Sequence, residues 1–269
     1  MLTENSIFAI REPEKQLYDS RRCRCGLTPE IIDYEMQFFH SNTELQIHHL
    51  TQDGLEHFVS KYGSTYRTLY FYFSSDIRDF SPLADLKGLE AVRIEWCRNT
   101  DKLWDMSLNS SLKVISIDCA KRVIANPMQL QTSSTLEEIR FWGGDFDNKH
   151  TLESLSCFRG MKSLKRIDLN DIKLKTKNLD SLSSLPQIGE FNFDAGMLTT
   201  EEIAWICAKY PHIRGDCLGV YTTNEVTCLN DIRICGFRKP GLDLPKDQKR
   251  LDKYVAEFNA LVEKYRNEP

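Results

Sequence analysis

Apolar and polar residues alternate in short runs that recur along most of the chain. When the runs are aligned at their first apolar residue, their spacings are 23, 23, 24, 28, 24 and 25 residues. Three and five residues past this anchor, six of the seven runs are apolar again, and this alternation predicts a short strand with one buried face. The anchors are Tyr66, Leu89, Leu112, Leu136, Leu164, Ile188 and Ile213.

A second apolar series, with a spacing of three, precedes several of these runs. This spacing suits a helical or 3-10 turn that leads back to the next strand. One strand and one turn cannot bury their apolar residues alone, so neighbouring copies are expected to stack into a continuous core. The series are Leu83, Leu86 and Leu89; Phe158, Met161 and Leu164; and Leu182, Leu185 and Ile188.

The stretch DFSPLADLKGLEAVRI, residues 79–94, carries the unit L-x-x-L-x-L and resembles the repeat of bacterial internalin-type leucine-rich repeat proteins. The resemblance covers roughly residues 45–220. It implies an α/β fold, a curved leucine-rich repeat solenoid with a parallel β-sheet on its concave side and helical, 3-10 or irregular segments on its convex side. For the family, it also implies recognition of proteins or peptides.

A solenoid exposes apolar core at both ends unless other segments cap it. The N-terminal flank, residues 1–44, contains TPEIIDYEMQFF, in which Thr28 is a candidate N-cap and Pro29 suits the first helical position. This flank therefore predicts a short helix. The stretch LQIHHL that follows predicts a capping strand or an early repeat at the start of the repeat region, residues 45–220.

The C-terminal flank, residues 221–269, predicts a β-hairpin followed by an amphipathic helix. EVTCLNDIRICGF alternates on both sides of Asn230 and Asp231, which is typical of a hairpin. The last segment places its apolar residues on one helical stripe, which favours packing on the domain, although docking on a partner or a second copy is the alternative. The stripe consists of Leu251, Tyr254, Val255, Phe258, Leu261, Val262 and Tyr265.

Composition excludes several classes of protein. Of the 269 residues, 41% are hydrophobic and 28% are charged, which is ordinary for a core-forming soluble protein. The net charge is −4, and no segment has the positive excess that nucleic-acid binding requires. No run of about 18 apolar residues predicts a membrane span, and the N-terminus lacks the basic and apolar regions of a signal peptide.

The cysteines indicate a compartment. Nine cysteines, an odd number, are scattered along the chain, and this favours reduced thiols over a disulfide framework. We therefore expect a cytoplasmic protein that is a monomer or a weak homo-oligomer, with no membrane or nucleic-acid partner.

Strand positions that point away from the core should line the concave side of the sheet. These positions combine aromatic, arginine and carboxylate side chains, and Trp, Tyr and Arg dominate binding hot spots. Carboxylates become more frequent toward the later strands, which favours a partner with basic groups. The candidate partner-binding residues are Tyr70, Tyr72, Arg93, Glu95, Asp118, Arg140, Trp142, Asp168, Asn170 and Asp194.

Metal, cofactor and catalytic signals are weak. Cys23 and Cys25 in RRCRCG lack a matching second pair, so no zinc site is predicted. GGDFDNKHTLE, residues 143–153, lacks the glycine and terminal glutamate of a calcium loop. The histidines show no spacing relative to acids or nucleophiles that indicates catalysis, and no common catalytic motif occurs. We expect no cofactor.

The sequence therefore predicts a non-catalytic scaffold that binds a protein or peptide through its concave sheet. An alternative within binding is an immunity-type or regulatory protein that acts through the C-terminal hairpin or helix. A second class is an enzyme that uses concave-face residues such as Arg140 and Asp168. A third is structural self-assembly through pairing of the edges or the ends of the solenoid.

Overall fold

One parallel sheet organises the molecule. The computed structural model describes residues 16–17, 26–38, 43–144, 149–223 and 230–268. Strands β1 to β10 are Gln16–Leu17, Glu44–His48, Thr68–Tyr72, Ala91–Glu95, Val114–Asp118, Glu138–Trp142, His150–Ser154, Arg166–Asn170, Ile172–Thr176 and Glu190–Phe193. The main sheet has eight strands in the order β1-β2-β3-β4-β5-β6-β8-β10, and its neighbouring strands are parallel.

The strands form where the apolar alternation places them. The inward residues of each strand are buried in one continuous core, and successive strands bring these residues into register. Branched and aromatic side chains fill these positions, as suits a pleated surface that is covered on one face. The central inward residues are Leu69, Phe71, Val92, Ile94, Ile115, Ile117, Ile139, Phe141, Ile167 and Leu169.

The segments that return the chain from one strand to the next are of several kinds. A ten-residue helix, α2 (Gln52–Lys61), joins β2 to β3. Short 3-10 turns at Ser81–Asp85 and Met106–Leu108 serve the next two connections. A five-residue helix, α3 (Lys121–Ala125), precedes a further 3-10 turn before β6. After β6 and β8 the chain forms β7 and β9, which pair with each other in a second parallel sheet.

This arrangement corrects the predicted fold class. The leucine-rich repeat solenoid with concave and convex sides was the wrong prediction, because the described residues form a mixed α/β domain with one main sheet whose strands follow chain order. The alternating pattern indicates which strand face is buried, and the apolar series with a spacing of three correctly indicates the 3-10 turns at Ser81–Asp85, Leu155–Phe158 and Leu179–Ser184. In the described residues the return segments are helices, 3-10 turns or extra strands, in combinations that differ from one connection to the next.

The C-terminal part closes one end of the sheet. Helix α4 (Thr200–Lys209) begins at a capping box in which Thr199 and Glu202 exchange hydrogen bonds. Helix α5 (Gln248–Asn267) packs on α4 and buries Phe258 and Val262 in the main core. The predicted amphipathic helix is therefore present, and part of its apolar stripe is covered within the molecule.

The predicted hairpin is a three-stranded sheet in the structure. Strands β11 (Tyr221–Thr223), β12 (Ile232–Ile234) and β13 (Gly241–Leu242) pair antiparallel, with β12 in the middle. Part of the predicted hairpin, residues 225–229, lies outside the described residues, as do Cys23, Cys25 and residues 145–148.

At the other end, α1 (Pro29–Glu35) follows Thr28, as predicted. Thr28 does not cap the helix, because its hydroxyl donates to Glu30 instead. Asp33 of α1 binds side chains of His57, Tyr62 and Lys61 at 2.7, 2.7 and 2.9 Å. These contacts hold the pKa of the Asp33 carboxyl well below its usual range and tie α1 to the end of α2.

A single asparagine links two neighbouring return turns. Asn109 donates from Nδ2 to the carbonyl oxygens of Leu83 and Leu86, both at 2.9 Å, and accepts from Trp104 Nε1 at 2.7 Å. Asn109 and Trp104 are both fully buried. The amide thus satisfies polar groups that would otherwise lie in the apolar core without water.

Candidate functional site

The strand register gathers the predicted site residues on the face of the main sheet that points away from the core, hereafter the polar face. One row of this face contains Tyr70, Arg93, Arg140 and Asp168, and the adjoining row contains Tyr72, Glu95, Asp118, Trp142 and Asn170. Asp194 follows β10 directly at the end of the second row. The predicted set is therefore contiguous, but its members differ in what they contact.

Asp118 lies at the centre of a buried ion network. Its carboxylate is 3.1 Å from Arg93 Nε and 3.9 Å from Arg140 Nε, and it accepts a hydrogen bond from the Ser116 hydroxyl at 3.2 Å. Asp118 is 0% exposed. Burial raises the pKa of the Asp118 carboxyl, and Arg140 and Arg93 oppose that rise. The two arginines close over the carboxylate, so a partner cannot reach it.

Tyr70 and Glu95 extend this network toward β3. The Tyr70 hydroxyl donates to the Glu95 carboxylate, which also binds Arg93 Nη2 at 2.6 Å. The Arg93 guanidinium lies over the Tyr70 ring, 4.7 Å from its centroid. Burial and the bond to Glu95 raise the pKa of Tyr70 well above its usual range. Tyr70 therefore serves as a buried hydrogen-bond donor on this face.

A second network surrounds Asp168. Arg166 Nε lies 2.9 Å from its carboxylate, and Asn192 Nδ2 donates to it at 2.6 Å. Arg166 also binds Glu190 at 2.6 Å. Asp168 is 0% exposed. Like Asp118, it organises neighbouring strands and has no surface left for a ligand.

The remaining predicted residues are partly open to solvent. Tyr72, Trp142, Asn170 and Asp194 are each half-buried. Trp142 donates from Nε1 to Asp171 at 2.9 Å, and Asp194 binds Lys149 at 2.6 Å. The face is acidic, since its arginines are Arg93, Arg140 and Arg166, whereas its carboxylates are Glu44, Glu95, Asp118, Glu138, Asp168, Glu190 and Asp194.

Three aromatic side chains form a stack at the carboxyl ends of β2, β3 and β4. His49 and Phe73 lie 6.0 Å apart between ring centroids with planes 18° apart, and Phe73 and Trp96 lie 5.7 Å apart with planes 15° apart. We call His49, Phe73 and Trp96 the aromatic ladder. Phe73 is 41% exposed. None of the three was among the residues predicted to bind a partner.

The backbone of the aromatic ladder adopts a conformation that bulky residues rarely take. The φ angles of His49, Phe73 and Trp96 are 53°, 50° and 57°. This left-handed region costs an L residue roughly 1–2 kcal/mol, and Gly or Asn normally occupies it. Such strain persists where the surroundings fix the backbone, and it concentrates at functional sites.

Hydrogen bonds between strands hold these strained residues in place. Each backbone amide of the ladder donates to the backbone carbonyl oxygen of the last residue of the next strand. His49 donates to Tyr72 at 3.1 Å, Phe73 to Glu95 at 3.0 Å and Trp96 to Asp118 at 3.1 Å. The same geometry continues at Cys119, whose φ is 58°. There, a Cβ on Gly144 would lie 1.9 Å from the Cys119 sulfur, so only glycine fits beside it.

Side chains on either side of the aromatic ladder enlarge its surface. Tyr72 packs edge-on against Phe73 at 4.4 Å and against His48 at 5.1 Å. The guanidinium of the exposed Arg98 lies 4.7 Å from the Trp96 centroid. A planar base inserted between two rings needs about 7 Å, twice the contact separation of carbon atoms. The ring-to-ring distances in the ladder are shorter than this. A base therefore cannot insert between the rings, and a partner can contact only their exposed edges.

Replacing Phe73 with glycine is expected to change the free energy of unfolding by less than about 1 kcal/mol. Glycine relieves the left-handed strain, and this gain offsets the lost ring contacts, worth about 0.5–1.5 kcal/mol. The matched control is Phe71→Gly, two residues earlier and fully buried, which should cost about 3–5 kcal/mol or more. Chemical denaturation measures both, and equal losses in the two variants would contradict this account of the ladder.

The sequence contains a signal of the aromatic ladder outside the strands themselves. Phe73, Trp96 and Cys119 each lie seven residues past the anchor of their run. The predicted site residues were almost all outward positions within the strands, whereas the ladder residues follow directly after them. The pattern that indicates the aromatic ladder is an aromatic residue that follows directly after each of two successive strands.

Neither a cofactor nor a metal site emerges from the contacts of the described residues. Within those ranges, no cluster of three or more His, Cys, Asp or Glu side chains is arranged to hold a metal ion. In the same part of the chain, no helix combines the length and the apolar character needed to cross a membrane.

Comparison with models of known protein families found no match, and comparison with curated proteins found none. The resemblance to internalin-type repeats thus gains no support from either comparison. The function is therefore assigned from the geometry of the polar face and of the aromatic ladder.

Proposed function

We propose that this chain is a non-catalytic binding protein that recognises a basic segment of a protein or peptide partner. The contact surface is the aromatic ladder together with the adjoining acidic part of the polar face. The observation that carries the proposal is the exposure of Phe73 and its neighbours at strained backbone positions. A fold that only needed a turn at these positions would use glycine or asparagine there.

Hot-spot chemistry supports this surface. Binding energy concentrates in aromatic and arginine side chains that become desolvated in a complex. Tyr72, Phe73, Trp96 and Arg98 provide such groups within one continuous patch. Because interstrand hydrogen bonds fix the ladder backbone, a partner does not have to order this segment on binding.

Charge supports a basic partner. Carboxylates outnumber arginines on the polar face, and the exposed Glu44 lies at its margin. Complementary charge speeds association and sets the register of a partner. The same acidity argues against nucleic acid, whose phosphates the face would repel.

One feature supports a binding role over a catalytic role, and another supports a cytoplasmic location. The buried Asp118 and Asp168 carboxylates are engaged by arginines and hydrogen-bond donors, so neither is positioned to meet a substrate. The cysteines of the described ranges are free thiols, which suits a reducing compartment. We propose that the protein acts as a monomer or a weak homo-oligomer.

Selection from a random peptide library displayed on phage tests the proposal. Enriched peptides are expected to carry net positive charge. A Phe73→Ala, Trp96→Ala variant should bind them at least about 30-fold more weakly, since removing a hot-spot side chain costs about 2 kcal/mol or more. Fluorescence anisotropy of labelled synthetic peptides measures the affinities.

The matched control is Leu108→Ala, which removes a side chain that is 58% exposed on a return turn, away from the ladder. It should leave peptide affinity unchanged. Enrichment of acidic peptides, or equal losses of affinity in the control and the ladder variant, would refute the proposal. If peptides bind the ladder variant normally but lose affinity when α5 is altered, the binding site is the C-terminal helix and not the ladder.

A further inference from the structure

A separate pocket lies at the other end of the molecule, between β9, the loop from β10 to α4, and the loop that follows β12. Its volume is about 390 Å³, which falls in the range of pockets that hold small ligands. Ile172, Leu174, Met197 and Phe237 form its apolar lining. Phe237 is 56% exposed, so its ring offers apolar surface at the mouth of the cavity.

Basic side chains surround this apolar lining. Lys149, Lys173 and Lys177 line the pocket. The guanidinium of Arg233 lies 3.7 Å from the point that a Cβ on Gly196 would occupy. Arg238 lies over the Phe237 ring, 5.0 Å from its centroid.

Carboxylates offset only part of this charge. Lys149 binds Asp194 at 2.6 Å, and Lys177 binds Glu202 at 2.5 Å. Lys173 is exposed, and the described residues offer it no ion-pair partner. The pocket therefore combines an apolar interior with an uncompensated positive charge at its rim.

From this combination we infer that the pocket binds a small amphipathic carboxylate, with its apolar body against Met197 and Phe237 and its acidic head at Lys173. An ammonium–carboxylate hydrogen bond is of the strong, charge-assisted kind, and burial of the apolar body supplies the remaining affinity. This inference does not depend on the proposed partner-binding function, because the pocket shares no residue with the aromatic ladder.

Isothermal titration calorimetry with decanoate, below its micelle concentration, tests the inference on the full chain. Decanoate is expected to bind with one-to-one stoichiometry, and decylamine, which has the same apolar body and a positive head, at least tenfold more weakly. Lys173→Gln should weaken decanoate binding about tenfold. Lys175→Gln is the control, because Lys175 lies two residues along β9 and binds Glu153 at 3.0 Å outside the pocket.

Met197→Asp provides a second variant, since it places a carboxylate within the apolar lining and should abolish decanoate binding. Thermal melting of each variant establishes that it is folded. Absence of decanoate binding, equal binding of decanoate and decylamine, or equal effects of the Lys173 and Lys175 substitutions would each overturn the inference.

Discussion

Replacing Asp118 with alanine is expected to lower the free energy of unfolding by about 3–5 kcal/mol, the usual cost of removing one partner from a buried ion pair. Arg93 and Arg140 would then face each other without the carboxylate that both contact. Their side chains are only 16% and 13% exposed, so water cannot replace Asp118 fully. Urea denaturation monitored by circular dichroism measures the loss.

The control for this experiment is Glu90→Ala. Glu90 binds Arg67 at 2.6 Å, but Arg67 is 63% exposed, and exposed pairs contribute about 0–1 kcal/mol. A loss at Asp118 no larger than that at Glu90 would mean that the central network is not a stabilising unit. A variant with Arg93→Met, Glu95→Gln, Asp118→Leu and Arg140→Met should recover much of the stability, because Glu95 also pairs with Arg93 and no charge of this network then remains unpaired.

Replacing Asn109 with leucine is expected to cost about 2–4 kcal/mol. The change leaves the Trp104 indole N–H without an acceptor in the core, and an unsatisfied buried polar group costs about 1–3 kcal/mol. It also breaks the bonds that tie Asn109 to the Leu83 and Leu86 carbonyls. Thermal and urea unfolding both report this loss.

The surface residue Asn99 supplies the matched control, because Asn99→Leu should alter stability by no more than about 0.5 kcal/mol. A double variant, Trp104→Phe with Asn109→Leu, removes donor and acceptor together. Its loss should be smaller than the sum of the two single losses. Strict additivity would show that the indole–amide bond does not couple these residues.

Much of the strand content could be predicted, and the reason is physical. A strand buried on one face must place apolar residues at every second position, so Val92 and Ile94 indicate β4 in the sequence itself. The C-terminal helix was equally predictable, since Phe258 and Val262 repeat with the period of a helix. Both patterns are local, and both concern a single buried face.

The properties that depend on distant neighbours were not predictable in this way. Asp118 and Asp168 occupy outward positions, and the sequence alone indicated accessible carboxylates. The arginines that cover Asp118 come from neighbouring strands, 22 or more residues away, and Asp168 is covered by Arg166 of its own strand together with Asn192 of the next. Likewise, the left-handed backbone at Phe73 and Trp96 results from interstrand bonds, whereas their residue types argue against such a conformation.

The order of the strands in the main sheet also bears on how the chain reaches this structure. From β2 onward, each strand pairs with the strand of the same sheet that immediately precedes or follows it along the chain. Every pairing step therefore closes a loop of similar, modest length, and the entropy of closure rises only slowly with that length. Folding can begin at any adjacent pair and spread in both directions, without waiting for the termini to meet.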